Sequence, residues 1–180
     1  MTLIGTELLA QSMTLGLWRD GMNTERLYYH SDQPVTWKTA EGQMYTIPSG
    51  KSSYLAIDKG KVKLSTSQEV IARSTSFERM DGGIYTLKSL SPERREEKYD
   101  QGLKVKSDGL ALKVIGVITD FEDYVAGVIE SEAGKDQILE FYKVQAVICR
   151  TYALGHQRRH EQEGFNLCDQ VHCQVKIEEP

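Results

Sequence analysis

The 180-residue chain has no run of 18 apolar residues, which excludes a span by a long apolar helix. It has only three cysteines, Cys149, Cys168 and Cys173, and so odd and low a count excludes a disulfide framework. Positive charge is not in excess. The net charge of −4 argues against nucleic acid as the main partner, since phosphate binding needs a basic face. At the N-terminus, Leu3-Ile4 and Leu8-Leu9-Ala10 are interrupted by Thr6 and Glu7, and no Lys or Arg precedes them. Residues 1–12 therefore read as an N-terminal segment rather than a signal peptide. No internal repeat and no low-complexity segment is present. No His-Glu-x-x-His motif is present either, which weakens a zinc-hydrolase reading.

What is there is ordinary in bulk and ordered in pattern. Hydrophobic residues make up 39% and charged residues 27%, the balance of a globular chain of one domain or one domain with a smaller lobe. From Met13 to about Thr119 the pattern is β-rich, with short runs separated by turns. Tyr54-Leu55-Ala56-Ile57 and Val62-Lys63-Leu64 flank Asp58-Lys59-Gly60-Lys61, which predicts a hairpin. Strands at intervals of about ten residues predict a small sandwich or barrel-like sheet. Residues 91–102 are charged and nearly free of apolar side chains, and predict a solvated loop or one short surface helix. Tyr28, Tyr29, Trp37, Tyr45 and Tyr54 are open to two readings, sugar-stacking rings or simply good sheet formers. Leu110 to Thr119 is the most apolar strand candidate and leads directly into Asp120.

From Asp120 the period changes. Phe121, Tyr124, Val125, Val128 and Ile129 fall on one face of a helix, with Asp120 as N-cap and Gly134 as its natural C′ residue. Glu132 then sits at a helix C-terminus, where the dipole disfavours its charged form. Half-buried in a cleft, it would meet the condition for a carboxyl general acid; otherwise it is a glutamate exposed at a helix end. A second helix is predicted over about Lys135 to Arg159. Its stripe of Ile138, Phe141, Tyr142, Gln145, Ala146, Cys149, Tyr152 and Ala153, widened by Val144, Val147 and Ile148, predicts a central helix covered on several sides. Cys149 reads as a small core residue. Arg150, flanked by apolar residues, calls for a carboxylate partner, with Glu132 and Glu130 as candidates.

His160, Cys168, His172 and Cys173 supply four nitrogen and sulfur donors within fourteen residues. That chemistry suits a tetrahedral zinc ion, although adjacent ligands at 172 and 173 are unusual, and His156 is an alternative for one of them. A Cys168–Cys173 disulfide and a pair of free thiols fit the same spacing. The expected fold class is α+β. Residues 13–119 form a strand-rich region, and residues 120–180 form a two-helix core with a His/Cys loop.

Three stretches resemble the stage II sporulation protein D family: Ser131-Glu132, then Lys143-Val144-Gln145-Ala146-Val147-Ile148-Cys149-Arg150-Thr151-Tyr152-Ala153-Leu154, then Gly164-Phe165-Asn166-Leu167-Cys168-Asp169-Gln170-Val171-His172-Cys173-Gln174. The resemblance covers about Tyr124 to Val175. It implies a lytic transglycosylase of the cell envelope acting on peptidoglycan glycan strands, with Glu132 as acid and then base and a 1,6-anhydro sugar as product. A catalytically silent glycan-binding or scaffold module is the alternative. Ser131, Arg150 and Tyr152 are the expected supporting residues. The resemblance also implies structural zinc at His160, Cys168, His172 and Cys173. Three departures stand out. Ala133-Gly134 replaces a bulkier residue, Cys149 replaces a small one, and the family domain usually continues well beyond the position of Pro180, so the core is expected to be C-terminally incomplete.

Overall fold

The computed structural model describes residues 12–18, 23–171, 173 and 174. Most of the predicted N-terminal segment, and His172, lie outside the described residues. In chain order the strands are β1 (Met13–Gly16), β2 (Arg26–His30), β3 (Val35–Thr39), β4 (Met44–Ile47), β5 (Ser53–Asp58), β6 (Lys61–Ser65), β7 (Val70–Ser74), β8 (Ser76–Arg79), β9 (Tyr85–Ser91), β10 (Glu97–Tyr99), β11 (Gly102–Ser107) and β12 (Leu112–Ile118). Helices α1 (Phe121–Ala133) and α2 (Leu139–Gly155) follow. A 3₁₀ turn (Glu161–Glu163) and β13 (Leu167–Cys168) complete the order.

The strands form two sheets. One has the order β13-β1-β12-β11-β8-β3-β4, the other β10-β9-β2-β5-β6-β7. Period-two patterning sets their inner faces. Leu27 and Tyr29 of β2 are buried while Arg26, Tyr28 and His30 are not, and β9 buries Tyr85, Leu87 and Ser89 in the same alternation. The two inner faces meet as a sandwich. Trp37 of β3, fully buried, packs edge-on against Tyr29 of β2 at 5.0 Å and donates its indole N–H to Ser53 Oγ of β5 at 3.3 Å. The predicted hairpin is present as β5–β6, with Asp58 opposite Lys61.

Two expectations change here. Residues 91–102 are neither bare loop nor helix. Glu97–Tyr99 pairs with β9, and Tyr99 turns inward to stack 5.9 Å from Tyr85, so one aromatic residue recruits a charged segment to the sheet edge. Of the five aromatic residues with two readings, Tyr29 and Trp37 are core.

The helical part grows out of β12. This strand is buried along nearly its whole length between β1 and β11. Asp120 then caps α1 by accepting from the Glu122 N–H at 2.9 Å, and Gly134 closes the helix with φ 69°, a left-handed value that an L side chain rarely adopts. Tyr124, Val125 and Val128 form its buried face. The second helix is shorter than expected, because Gly134 to Ile138 is a connection, not helix. Pinning that connection, the Tyr142 hydroxyl donates to the Gly134 carbonyl and accepts from the Gln137 N–H.

Helix α2 is not covered on several sides. Among its residues only Cys149 and Ala153 are buried, whereas Leu139, Val144, Val147 and Ile148 are more than half exposed. One of its apolar faces packs on α1 and the other is open. Periodicity reports how much of a helix is apolar; it does not report how many neighbours are present to cover it.

Replacing Trp37 by Ala should lower unfolding free energy by about 3–5 kcal/mol, measured by urea titration. A loss below about 1 kcal/mol would mean that the two sheets do not depend on this contact.

Candidate functional site

The His/Cys loop is held by the first strand of the chain. β1 lies antiparallel to β12 and parallel to β13, with Gly16 beside Cys168. Asn166 secures the joint. Its side-chain oxygen accepts from both the backbone N–H and the hydroxyl of Thr14 at 2.8 Å, and its amide donates to the Gln157 carbonyl. Asp169 accepts from the Trp18 N–H at 2.5 Å. Gly16 has to lack a side chain here, because a Cβ at that position would meet the Phe165 ring at 2.5 Å. Phe165 in turn lies 5.1 Å from the His160 ring. The order of contact is β1, Phe165, His160.

These constraints bring three of the four predicted donors together. His160, Cys168 and Cys173 place one donor atom each within 4.8 Å of one another. His160 Nε2 lies 3.3 Å from Cys173 Sγ, and the two sulfur atoms of Cys168 and Cys173 lie 3.4 Å apart as free thiols. A tetrahedral zinc site with ordinary bond lengths needs sulfur atoms about 3.8 Å apart and a nitrogen about 3.6 Å from sulfur. Cys173 meets these spacings to within a few tenths of an ångström on both sides, and the group as a whole, spanning up to 4.8 Å, would draw His160 and Cys168 closer together around a metal. Burial drives the Cys168 thiol up to about 12, with the neighbouring Cys173 thiol adding to it, so without a cation it stays protonated. A bound cation reverses that preference. His172 lies outside the described residues. His156 is engaged elsewhere: its ring stacks on Tyr152 at 4.1 Å and its Nδ1 lies 2.8 Å from the Tyr152 carbonyl oxygen.

Behind the loop, fully buried Tyr124 of α1 donates its hydroxyl to Gln174 at 3.0 Å, and Gln174 donates to the Cys149 carbonyl at 3.3 Å. This chain of contacts joins both helices to the end of the cluster. Burial raises the Tyr124 phenol, and the nearby thiols push the same way. Cys149 is a core thiol, as expected, raised first by burial and then by the Glu132 carboxylate.

Glu132 occupies the last turn of α1 and is exposed. It follows Val125 and Val128 by seven and four residues, so it continues their face along the seam with α2. Ser131 does not present its hydroxyl to that seam, since it donates to the Gly127 carbonyl of its own helix at 2.7 Å. Arg150 and Tyr152 each have a partner elsewhere on the helix pair. Arg150 pairs through two nitrogens with Glu122, at the opposite end of α1, not with Glu130 or Glu132. Ten residues of helix separate Glu122 from Glu132, about 15 Å along the axis. Tyr152 sits further along α2 and accepts from Arg159 at 2.9 Å. The helices run antiparallel, so residues close to the end of α2 meet the beginning of α1. A groove on the other side of α1 is lined by Asp123, Gly127 and Glu130 together with Arg79 and Gln101; Glu130, not Glu132, faces it.

Two β-sheets with a helix pair and a thiol–imidazole loop locked to the first strand define an α+β protein with a potential metal-holding group at its C-terminal end. Residues 111–179 match the family model SpoIID, stage II sporulation protein, a stretch running from the last long strand through both helices and the His/Cys loop. Over these residues the chain is similar to that family, and the match points to a sporulation-related cell-wall function. No curated protein and no solved structure matches the chain.

The sequence did not point to Asn166, Tyr142, Tyr124 or Gln174. The Asn166–Thr14 contact spans 152 residues and leaves no local pattern. Gly16→Ala should cost about 1–3 kcal/mol in stability by displacing Phe165. Hydrogen exchange should also quicken across residues 156–170 while the β5–β6 hairpin is unchanged. Equal exchange in variant and parent would mean that Gly16 does not hold the loop.

Proposed function

We propose that the chain is a lytic transglycosylase module of the cell envelope, cleaving the bond between N-acetylmuramic acid and N-acetylglucosamine in peptidoglycan, with Glu132 as its single acid/base. The observation that carries this reading is the family match over residues 111–179, a stretch that includes the Ser131-Glu132 pair whose glutamate the resemblance implies is the acid. In the first step the Glu132 carboxyl gives its proton to the glycosidic oxygen, and the bond to C1 breaks. The resulting carboxylate then takes the proton of the muramic acid 6-hydroxyl, whose oxygen closes on C1 to leave the 1,6-anhydro ring. No water is consumed, and Glu132 returns to its starting state.

One carboxyl suffices for this chemistry, whereas ordinary glycoside hydrolases use two, about 5–9.5 Å apart across the bond. The placement of Glu130 favours the single-acid route. Two residues along a helix turn the side chain by about 200°, so Glu130 faces the opposite side of α1 from Glu132. Exposure leaves Glu132 open to a polymeric substrate, and the glycan itself would remove water from it on binding. The connection after it, pinned by Tyr142, keeps the end of the helix in place.

Zinc, when bound, would be structural, cross-linking the loop through His160, Cys168 and Cys173, with His172 as the expected fourth donor. The second reading is a catalytically silent glycan-binding module. The pairing of Arg150 with Glu122 favours it, because that guanidinium is committed to the other end of α1.

Incubation of the chain with peptidoglycan stripped of stem peptides, followed by mass analysis, should reveal anhydro ends. Glu132→Gln should lower their formation by about 10²–10⁴-fold, while Glu130→Gln retains it. Binding without anhydro product would establish the silent module. Activity that survives Glu132→Gln but is lost with a chelator would establish metal-dependent hydrolysis.

A further inference from the structure

We propose that Glu163 is the positioning residue for the metal-holding group, fixing His160 so that Nε2 is its metal-facing atom. The proposal rests on the reading that His160, Cys168 and Cys173 hold a metal, and adds a residue that the donor pattern does not contain.

The geometry is specific. His160 Nδ1 lies 2.7 Å from Glu163 Oε1, and Nε2 of the same ring lies 3.3 Å from Cys173 Sγ. An ionised carboxylate only accepts hydrogen bonds, so a neutral imidazole facing it carries its proton on Nδ1. That leaves the Nε2 lone pair directed at the thiols. A metal-bound histidine needs this tautomer when Nε2 is its ligand, and a carboxylate behind the ring both selects it and makes the nitrogen a better donor.

Local structure holds both partners. Glu163 ends the 3₁₀ turn that begins just after His160, and its N–H donates to the His160 carbonyl at 2.9 Å. Gly164 follows with φ 89° and donates to the same carbonyl at 3.1 Å, reversing the chain so that Phe165 comes back to 5.1 Å from the imidazole. The ring is therefore constrained on one face by Phe165 and at one nitrogen by Glu163. The side chains of His160 and Glu163 are only 11% and 29% exposed, so water competes weakly for the contact. Glu161, on the same turn, is a natural control. It is exposed, and its carboxylate lies 4.0 Å from Arg158, away from the thiols.

The full chain is loaded with zinc and titrated with a chromophoric chelator at fixed pH. Glu163→Ala should lower zinc affinity by about 10–100-fold. Glu163→Gln, which keeps an acceptor oxygen but not the charge, should recover part of the loss, and Glu161→Gln should match the parent. In the zinc-loaded parent, ¹⁵N shifts of the His160 ring should report a protonated Nδ1 and a metal-bound Nε2. In Glu163→Ala that single-tautomer signature should be lost or broadened. If Glu163→Ala and the parent agree within twofold and share the ring signature, the positioning role is overturned while the metal site stands. If the parent itself takes up no zinc, the metal reading falls and this inference with it. Should the Ala variant not fold, the Gln variant decides: parental affinity with parental ring shifts overturns the proposal.

Discussion

The site depends on one backbone arrangement, β1 lying between β12 and β13. On one side β1 pairs with the strand that feeds α1; on the other it pairs with the two residues that carry Cys168 into the cluster. Both sets of bonds use the main chain, and the Thr14 hydroxyl adds its bond to Asn166, so they depend little on the side chain of Leu15. Gly16 is the exception, because the Phe165 ring occupies the space where its Cβ would be. Apart from β1, the His/Cys loop is joined to the rest through α2 and through the Tyr124–Gln174–Cys149 chain of hydrogen bonds.

Two regions of different character result. The His160–Cys168–Cys173 group is buried or nearly so, bonded on several sides and tied to the sandwich. The end of α1 that carries Glu132 is exposed, and next to it α2 presents an open apolar face. The proposed action on a polymer fits this division, since the buried loop is fixed against the helix pair while the exposed carboxyl is open to solvent. Separation also has a consequence for support. Arg150 and Tyr152 bond at the other end of the helix pair, through Glu122 and Arg159.

Much of this was legible in the residues. The Asp58–Lys61 hairpin, the Asp120 cap, Gly134 at the end of α1 and the apolar β12 all rest on local rules of turn chemistry, capping and period, and each is present. β8, β10 and β13 were not legible. Ser76–Arg79 and Glu97–Tyr99 are short and charged, and become strands because a neighbouring edge offers hydrogen-bonding groups and because Phe77 and Tyr99 have a core to enter. The partner of Arg150 was misread for a related reason. Sequence proximity suggested the carboxylates at the end of α1, but an antiparallel hairpin brings its start alongside instead.

Residue type and spacing already offer the candidates for chemistry: a glutamate at a helix end, and a nitrogen–sulfur donor set close enough along the chain to converge. Residue type, helical period and short spacing are local properties, so they survive without knowledge of the fold. Only the packed fold makes Tyr29 and Trp37 core, leaves α2 covered on one side, and lets β1 anchor the loop. Each of these depends on which surfaces meet across long stretches of chain, and the energy of such a meeting belongs to the pair of surfaces rather than to either segment.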